Sequence, residues 1–198
     1  MISGGGRSLQ NLIDLIAAGK LNARIAVVIS SLSKVQGVER ARAAGLPVEI
    51  VRRKDHADVA SFSQAIVDVL ERYGVQLAVQ AGWTCLWQLP ERWYGRVMNI
   101  HPALLPKYGG KGCFGHHVHE AVLAAGDAES GCTVHFANNE YDAGPIILQR
   151  RVSVLPGDTP DALAARVFEQ ECIAYPEAIR LFAEGRLRIE GNRVRVGV

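Results

Sequence analysis

The stretch Arg24-Ile-Ala-Val-Val-Ile-Ser30 decides the class of fold. This continuous apolar run is typical of a strand that is covered on both faces of a parallel sheet. A helix precedes it, because Leu9, Leu12, Ile13 and Ile16 recur at the spacing of one helix face. Strand-like and helix-like segments alternate in this way along most of the chain. The alternation predicts an α/β fold, with a Rossmann-like open, mostly parallel sheet and helices on both faces.

The remaining predicted elements follow from the same patterns. Strands are predicted at residues 48–51, 77–80, 97–100, 132–136 and 145–154, and a terminal hairpin at residues 187–196. Helices are predicted at residues 37–44, 66–73, 117–124 and 159–184, the last interrupted by Pro176. Because the chain has no internal repeat, low-complexity tract or linker, we expect residues 1–198 to form a single domain.

Composition and charge exclude several classes of protein. The 198 residues carry a net charge of +2, which argues against a protein built mainly to bind nucleic acid. No apolar run reaches the roughly twenty residues that span a bilayer, and the first residues do not resemble a signal peptide. The four cysteines, Cys85, Cys113, Cys132 and Cys172, are too scattered for a disulfide framework. We therefore expect a cytoplasmic protein with free thiols that binds neither membranes nor nucleic acid.

Three polar residues in two segments could carry chemistry. Asn99 and His101 lie two positions apart at the carboxyl end of a predicted strand, so both side chains should share one face where open α/β sheets bind ligands. Asp142 lies in a polar loop, and near an imidazole its charge would favour the protonated ring. Together they could stabilise an oxyanion and move a proton during acyl transfer to an amine. The alternative roles are a turn-capping Asn, a core His and a turn Asp.

The chain opens with a glycine turn. Gly4-Gly5-Gly6-Arg7-Ser8 directly before a helix is an arrangement that presents backbone N–H groups to a phosphate, and a flexible start is the alternative. Such a turn normally follows a strand, but only Met1 and Ile2 precede it, so we expect the first strand of the sheet to be missing. Leu9 stands where a dinucleotide-binding turn has its third glycine, which disfavours a Rossmann oxidoreductase.

A carboxylate occupies an inward-facing helical row near the carboxyl end of the chain. Glu171 shares this row with Leu163, Val167 and Tyr175. Because a carboxylate is rarely buried without a partner, Glu171 either pairs with an arginine or accepts a hydrogen bond from a substrate amine or hydroxyl.

Aromatic and metal-binding residue types also occur in groups. Trp83 and Trp87 could line a pocket for a flat heterocycle or pack in the core.

The cysteine and histidines of residues 111–119, with Cys132 and His135, match no common zinc-binding spacing. We therefore expect no metal, and we expect His119 and His135 to be buried.

Three segments together resemble the formyltetrahydrofolate-dependent transferases. They are Asn99-Ile-His101-Pro-Ala-Leu-Leu-Pro106-Lys-Tyr, Cys132-Thr-Val-His135-Phe and Asp142-Ala-Gly-Pro-Ile-Ile-Leu-Gln149. The likeness extends from the glycine turn to about Arg188, and the Asn-x-His-Pro and Asp-x-Gly-Pro blocks are specific for this superfamily. The resemblance implies direct transfer of a formyl group from 10-formyltetrahydrofolate, as co-substrate, to the amine of 5-phosphoribosylglycinamide in purine biosynthesis.

The resemblance also implies roles for individual residues. The catalytic residues would be Asn99, His101 and Asp142, with His135 as a supporting histidine. The substrate phosphate would bind Gly6, Arg7 and Ser8, and Glu171 would contact the glycinamide substrate. The folate would bind two segments, Thr84, Cys85, Leu86, Trp87 and Asn138, Asn139, Glu140, Tyr141, Asp142.

The chain departs from the family pattern at three places. The family has a full strand before the glycine turn, so we expect the true start to lie upstream. Cys85 and Val59 stand where arginines are found beside the folate, which would change contacts with its glutamate tail. Residues 109–115 form a longer connection than usual and could reshape the mouth of the pocket.

Other activities remain open on the same residues. They are hydrolysis to formate, formylation of a sugar nucleotide or of methionyl-tRNA, and folate binding by a catalytically impaired homologue. The resembling hydrolases carry a regulatory domain before the catalytic one and the tRNA enzymes a domain after it, and 198 residues leave room for neither. The glycinamide acceptor is therefore favoured, with small molecules as the only partners of a monomer or homodimer.

Overall fold

The computed structural model describes residues 1–197, which fall into two compact units, residues 1–98 and residues 99–197. The expectation of a single domain stays a prediction.

The first unit alternates short strands with helices, as predicted. Its elements are α1 (Arg7–Ala17), β1 (Val28–Ser30), α2 (Gln36–Ala43), β2 (Val48–Ile50), α3 (Val59–Arg72), β3 (Ala78–Gln80) and the start of β4 (Val97–His101), with single 3-10 turns at Arg53–Asp55 and Glu91–Trp93. Strands β1 and β2 pair in parallel. The strand predicted at residues 24–30 is shorter than expected, because only its last three residues pair with a neighbour.

Residues 1–3 occupy the position of the first strand in the first unit, as an isolated bridge and not as a full strand, which corrects in part the prediction that this strand is missing. The Ile2 N–H donates to the Ile29 carbonyl at 2.9 Å, and Ile2 forms a parallel bridge with Ser30. On the other side the Met1 carbonyl accepts from the Ala81 N–H at 2.9 Å. The Ile2 side chain is fully buried. Backbone hydrogen bonds on both sides hold this segment, and so short a segment shows no periodicity in the sequence.

The second unit begins with the end of β4 and is richer in antiparallel structure. It contains α4 (His116–Ala124), β5 (Glu129–Phe136), β6 (Ile146–Ser153), α5 (Pro160–Ala183), β7 (Leu187–Glu190) and β8 (Arg193–Val196). Strands β4, β5 and β6 are neighbours in this order, and β5 pairs with β6 in antiparallel orientation. The ladder contains an irregularity between Val134 and His135. The predicted terminal hairpin is confirmed as β7 and β8.

Helix α5 continues through Pro176, so the predicted interruption is wrong. The helix begins where the Thr159 hydroxyl accepts from the Ala162 N–H at 3.2 Å. Pro176 removes one backbone donor, and it is buried, as are its neighbours along the helix, Tyr175 and Ala178. We attribute the continuous helix to this packing, since it offsets the loss of a single hydrogen bond.

None of the helices within residues 1–197 combines the length and the apolar composition needed to cross a membrane. The four cysteines are free thiols, as expected.

Candidate active site

Asn99 and His101 share one face of β4, as their spacing predicts, and both contact Asp142. The Asn99 Nδ2 atom lies 3.3 Å from Asp142 Oδ1, and His101 Nδ1 lies 3.5 Å from Asp142 Oδ2. His101 is buried and Asn99 is half-buried. The structure therefore brings together the three residues that were singled out in the sequence.

Asp142 is held by its backbone conformation and by the segment that follows β4. Its φ angle of 54° lies in the left-handed region, which a non-glycine residue rarely adopts. The Gly110 N–H donates to Asp142 Oδ2 at 3.0 Å, and a Cβ atom on Gly109 would lie 3.2 Å from Asp142 Cβ. The longer connection at residues 109–115 is thus attached directly to the carboxylate.

His135 lies on β5 and completes the cluster, as predicted for a supporting histidine. Its Nδ1 atom is 2.9 Å from the Phe136 carbonyl oxygen, which can only accept, so the ring proton resides on Nδ1. Nε2 then accepts from Asn99 Nδ2 at 3.1 Å. The two amide hydrogens of Asn99 therefore point at His135 Nε2 and at Asp142 Oδ1.

Both ring nitrogens of His101 are engaged. Nε2 lies 2.7 Å from the Tyr108 carbonyl oxygen and must carry a proton, whereas Nδ1 faces the Asp142 carboxylate. Burial lowers the pKa of His101, and this effect outweighs the opposing effects of Asp142 and Tyr108. Asp142 thus favours the protonated ring, as its charge predicts, but burial of the ring has the larger effect. At neutral pH the ring is neutral, with its proton on Nε2.

The carboxyl group of Asp142 is ionised under the same conditions. Burial raises its pKa, but the hydrogen bonds with His135 and the Gly110 N–H, together with the charge that His101 carries when protonated, outweigh burial and lower the pKa below its ordinary value. The site thus combines one carboxylate, two imidazoles and one amide.

A buried hydroxyl group fixes the segment that follows His101. The fully buried Thr133 Oγ1 donates to the Ala103 carbonyl at 2.6 Å and accepts from the Leu105 N–H at 3.0 Å. Gln149 Nε2 donates to the same hydroxyl at 2.8 Å and to the Leu105 carbonyl at 3.0 Å. Sequence reasoning missed this network, whose only signal is a pair of polar residues in two apolar strands.

The glycine turn lies in the first unit at the start of α1, where its backbone is closely packed. Gly6 has a φ of 67° and precedes Arg7 and Ser8 in the first helical turn. A Cβ atom on Gly37 of α2 would lie 2.7 Å from the Gly4 carbonyl oxygen. The turn is therefore held by close contact with the backbone of α2, where the Gly37 N–H donates to the Gly4 carbonyl at 3.1 Å, and its phosphate-binding role stays a prediction.

The first proposed folate segment also lies in the first unit. Trp83 and Trp87 are buried, and Trp83 stacks on Phe62 with ring centroids 6.2 Å apart, so the core-packing alternative applies to these tryptophans. Thr84 is exposed, and Cys85 and Leu86 are half-buried. Any contact of Trp87 with a ligand would have to come from its backbone.

The other predicted site residues lie in the second unit. Asn138 Oδ1 accepts from the Glu140 N–H at 3.0 Å, and Asn139, Glu140 and Tyr141 are exposed. Glu171 is half-buried in the inward-facing row of α5. Burial of the Cys132 thiol, and then the negative charge of Glu171, raise the pKa of this thiol to about 12. Their roles toward ligands stay predictions.

His119 and His135 are buried as expected. In the part of the chain that the structure describes, no group of three or more His, Cys, Asp or Glu side chains is placed to hold a metal ion.

Comparison with known proteins shows the class to which this site belongs. The family model described as formyl transferase matches residues 1–179, so the chain belongs to the formyl transferase family. The chain is 40% identical over 194 residues to the phosphoribosylglycinamide formyltransferase of Haemophilus influenzae, covering 97% of this chain and 89% of that one. It is 39% identical over 194 residues to the trifunctional purine biosynthetic protein adenosine-3 of Bos taurus, of which it spans 19%.

Solved structures agree with this assignment. Glycinamide ribonucleotide transformylase 1 from Symbiobacterium toebii is 42% identical and superposes with a TM-score of 0.92, covering 100% of this chain and 92% of that one. The mostly parallel α/β fold expected from the sequence is thereby confirmed.

Proposed function

We propose that this chain transfers the formyl group of 10-formyltetrahydrofolate to the amine of 5-phosphoribosylglycinamide. The names of the relatives support the reaction and the acceptor. The observation that carries the proposal is the convergence of Asn99, His101 and His135 on the Asp142 carboxylate. Both substrates are small molecules, and the proposed chemistry uses no metal.

The amine attacks the formyl carbon, and the formyl oxygen becomes an oxyanion. The Asn99 amide is the proposed main donor to this oxyanion. Asn99 Nδ2 has two contacts, and the oxyanion would replace the longer one, to Asp142 at 3.3 Å. His101 is the second proposed donor, through its Nε2–H, which would exchange its contact with the Tyr108 carbonyl for one with the oxyanion. It acts as a neutral imidazole, since burial lowers its pKa.

The Asp142 carboxylate moves the proton. An amine that attacks a carbonyl carbon gains a positive charge and must lose a proton, while the departing folate nitrogen must gain one. Asp142 is ionised and keeps 11% of its side chain exposed, so a water molecule can relay the proton between the two nitrogens. The glycine turn Gly6, Arg7 and Ser8 would hold the substrate phosphate, and Glu171 would accept from the glycinamide substrate.

The test is the rate of formyl transfer by variants of the amide and the carboxylate. Asn99→Ala is expected to keep substrate binding and to lose roughly 10²–10³ in kcat, the usual effect of removing one oxyanion donor. Asp142→Asn is expected to lower kcat and to shift its pH profile, because the amide cannot titrate. Asn192→Ala, in the turn between β7 and β8, is the matched control and should behave as the parent protein.

Wild-type turnover by Asn99→Ala would contradict the oxyanion role. Release of formate in the absence of the amine would instead support hydrolysis. Folate binding without either reaction would support an impaired binding protein. Assaying this chain beside one extended upstream of Met1 would test whether more residues are needed at the glycine turn. Gel filtration would distinguish the predicted monomer from a homodimer.

A further inference from the structure

A small cluster of polar side chains lies next to the site without entering it. Both carboxylate oxygens of Asp127 lie 2.6 Å from Lys107 Nζ, and the Tyr108 hydroxyl donates to Asp127 Oδ2 at 2.7 Å. Asp127 follows α4, whereas Lys107 and Tyr108 lie in the segment after β4, so the cluster joins two separate segments. We call these three residues the Asp127 clamp.

The clamp acts on a strained part of the backbone. Tyr108 has a φ of 58°, and within residues 1–197 the only other non-glycine residue with positive φ is Asp142. These two residues contact the two ring nitrogens of His101, Tyr108 through its carbonyl and Asp142 through its carboxylate. Left-handed backbone in bulky residues is costly and persists only where other contacts hold it. Strain on both sides of one imidazole indicates that the position of this ring matters.

We propose that Asp127 is a positioning residue that, by binding the Tyr108 hydroxyl, holds the Tyr108 carbonyl against His101 and so keeps the ring proton on Nε2. Without this acceptor at 2.7 Å from Nε2, the Asp142 carboxylate at Nδ1 would be the ring's remaining acceptor among these contacts and would draw the proton to Nδ1. The ring would then lose its Nε2–H, the donor assigned to the oxyanion. The catalytic part of this inference rests on the proposed function, but the position of the proton does not.

Two variants remove the clamp in different ways. Tyr108→Phe deletes only the hydroxyl and leaves the ring and the backbone carbonyl, so it should fold like the parent protein. Asp127→Ala removes the acceptor for both partners. Glu129→Ala is the matched control, since it removes a carboxylate near Asp127 in the sequence whose partner is Arg151, in an exposed ion pair.

The direct measurement is the ¹⁵N spectrum of the His101 ring at pH 7.5, assigned by comparison with His101→Gln. The parent protein and Glu129→Ala should show the proton on Nε2, while Tyr108→Phe and Asp127→Ala should show a mixture of both tautomers. If the ring keeps its Nε2 proton in both variants, the inference is wrong. This readout needs no substrate, so it stands even if the chain does not transfer formyl groups.

Kinetics test the catalytic consequence. Each variant is expected to lower kcat by about tenfold, the effect of one weakened hydrogen bond at the site, with KM changed less than about twofold. Because both residues act through one contact, the double variant should be no slower than Asp127→Ala alone. If the losses in kcat of the two single variants multiply in the double variant, the two residues do not act through one contact, and this part of the inference is wrong. An altered ring spectrum with unchanged kcat would contradict the catalytic part of the inference, because the clamp would then set the position of the proton without affecting turnover.

Discussion

Replacing Thr133 by valine removes one hydroxyl group from the buried network beside His101. Valine has nearly the same shape, so the change leaves the Ala103 carbonyl and the Leu105 N–H without their partner in a fully buried place. Each unpaired buried backbone group costs about 1–3 kcal/mol, which gives a loss of about 2–6 kcal/mol in the free energy of unfolding. Gln149 keeps its contact with the Leu105 carbonyl, which favours the lower half of this range.

Urea unfolding measures this loss, with Thr133→Ser as the matched control. Serine keeps the hydroxyl and loses one methyl group, so we expect it to cost only about 1 kcal/mol. Turnover should follow the same order under conditions where each variant is folded, since the anchored segment comes directly after His101. Equal unfolding free energies for the valine and serine variants would refute the reasoning, because the hydroxyl would then contribute nothing beyond its volume.

Three further predictions follow from other close contacts. Gly144→Ala should disrupt the loop that carries Asp142 and abolish turnover, because an added Cβ would collide with the Phe136 carbonyl oxygen; normal kinetics would contradict this. Gly37→Ala should raise KM for the phosphorylated substrate more than it lowers kcat, since its Cβ would displace the Gly4 carbonyl. In protein produced with a free amine on Met1, stability should fall as pH drops from 8 to 5. Burial lowers the pKa of this amine from 8.0 to about 5, so the unfolded chain binds more protons over this range; the full effect is about 4 kcal/mol, and Nα-acetylated protein should lack it.

The sequence was a good guide where side chains repeat with a period. The two-residue spacing of Asn99 and His101 placed both on one face of β4, and the helical row on α5 placed Glu171 beside buried residues. The sequence did not predict the site contacts that are made by backbone groups. The Tyr108 carbonyl and the Gly110 N–H define the environment of His101 and Asp142, yet every residue type has these groups, so no pattern reveals them.

The pKa of His101 shows a second limit. From the sequence, only the sign of the interaction with Asp142 could be argued, and that sign favours protonation. The opposing effect of burial depends on how much water the fold removes from the ring, and residues far from His101 in the sequence decide that. The same holds for Pro176, whose cost to α5 is offset by packing that a helical pattern does not measure.

Asp142 explains why so many polar groups can be buried together. A buried carboxylate is unfavourable unless several donors replace the water it loses. Asn99 and Gly110 supply two of them, one to each oxygen, and the contact with the Gly110 N–H is among those that lower the pKa of Asp142. A formyl oxygen that takes over the Asn99 donor therefore also removes one partner from Asp142. The carboxylate becomes a stronger base at the moment when the attacking amine must lose its proton, which couples oxyanion stabilisation to proton transfer.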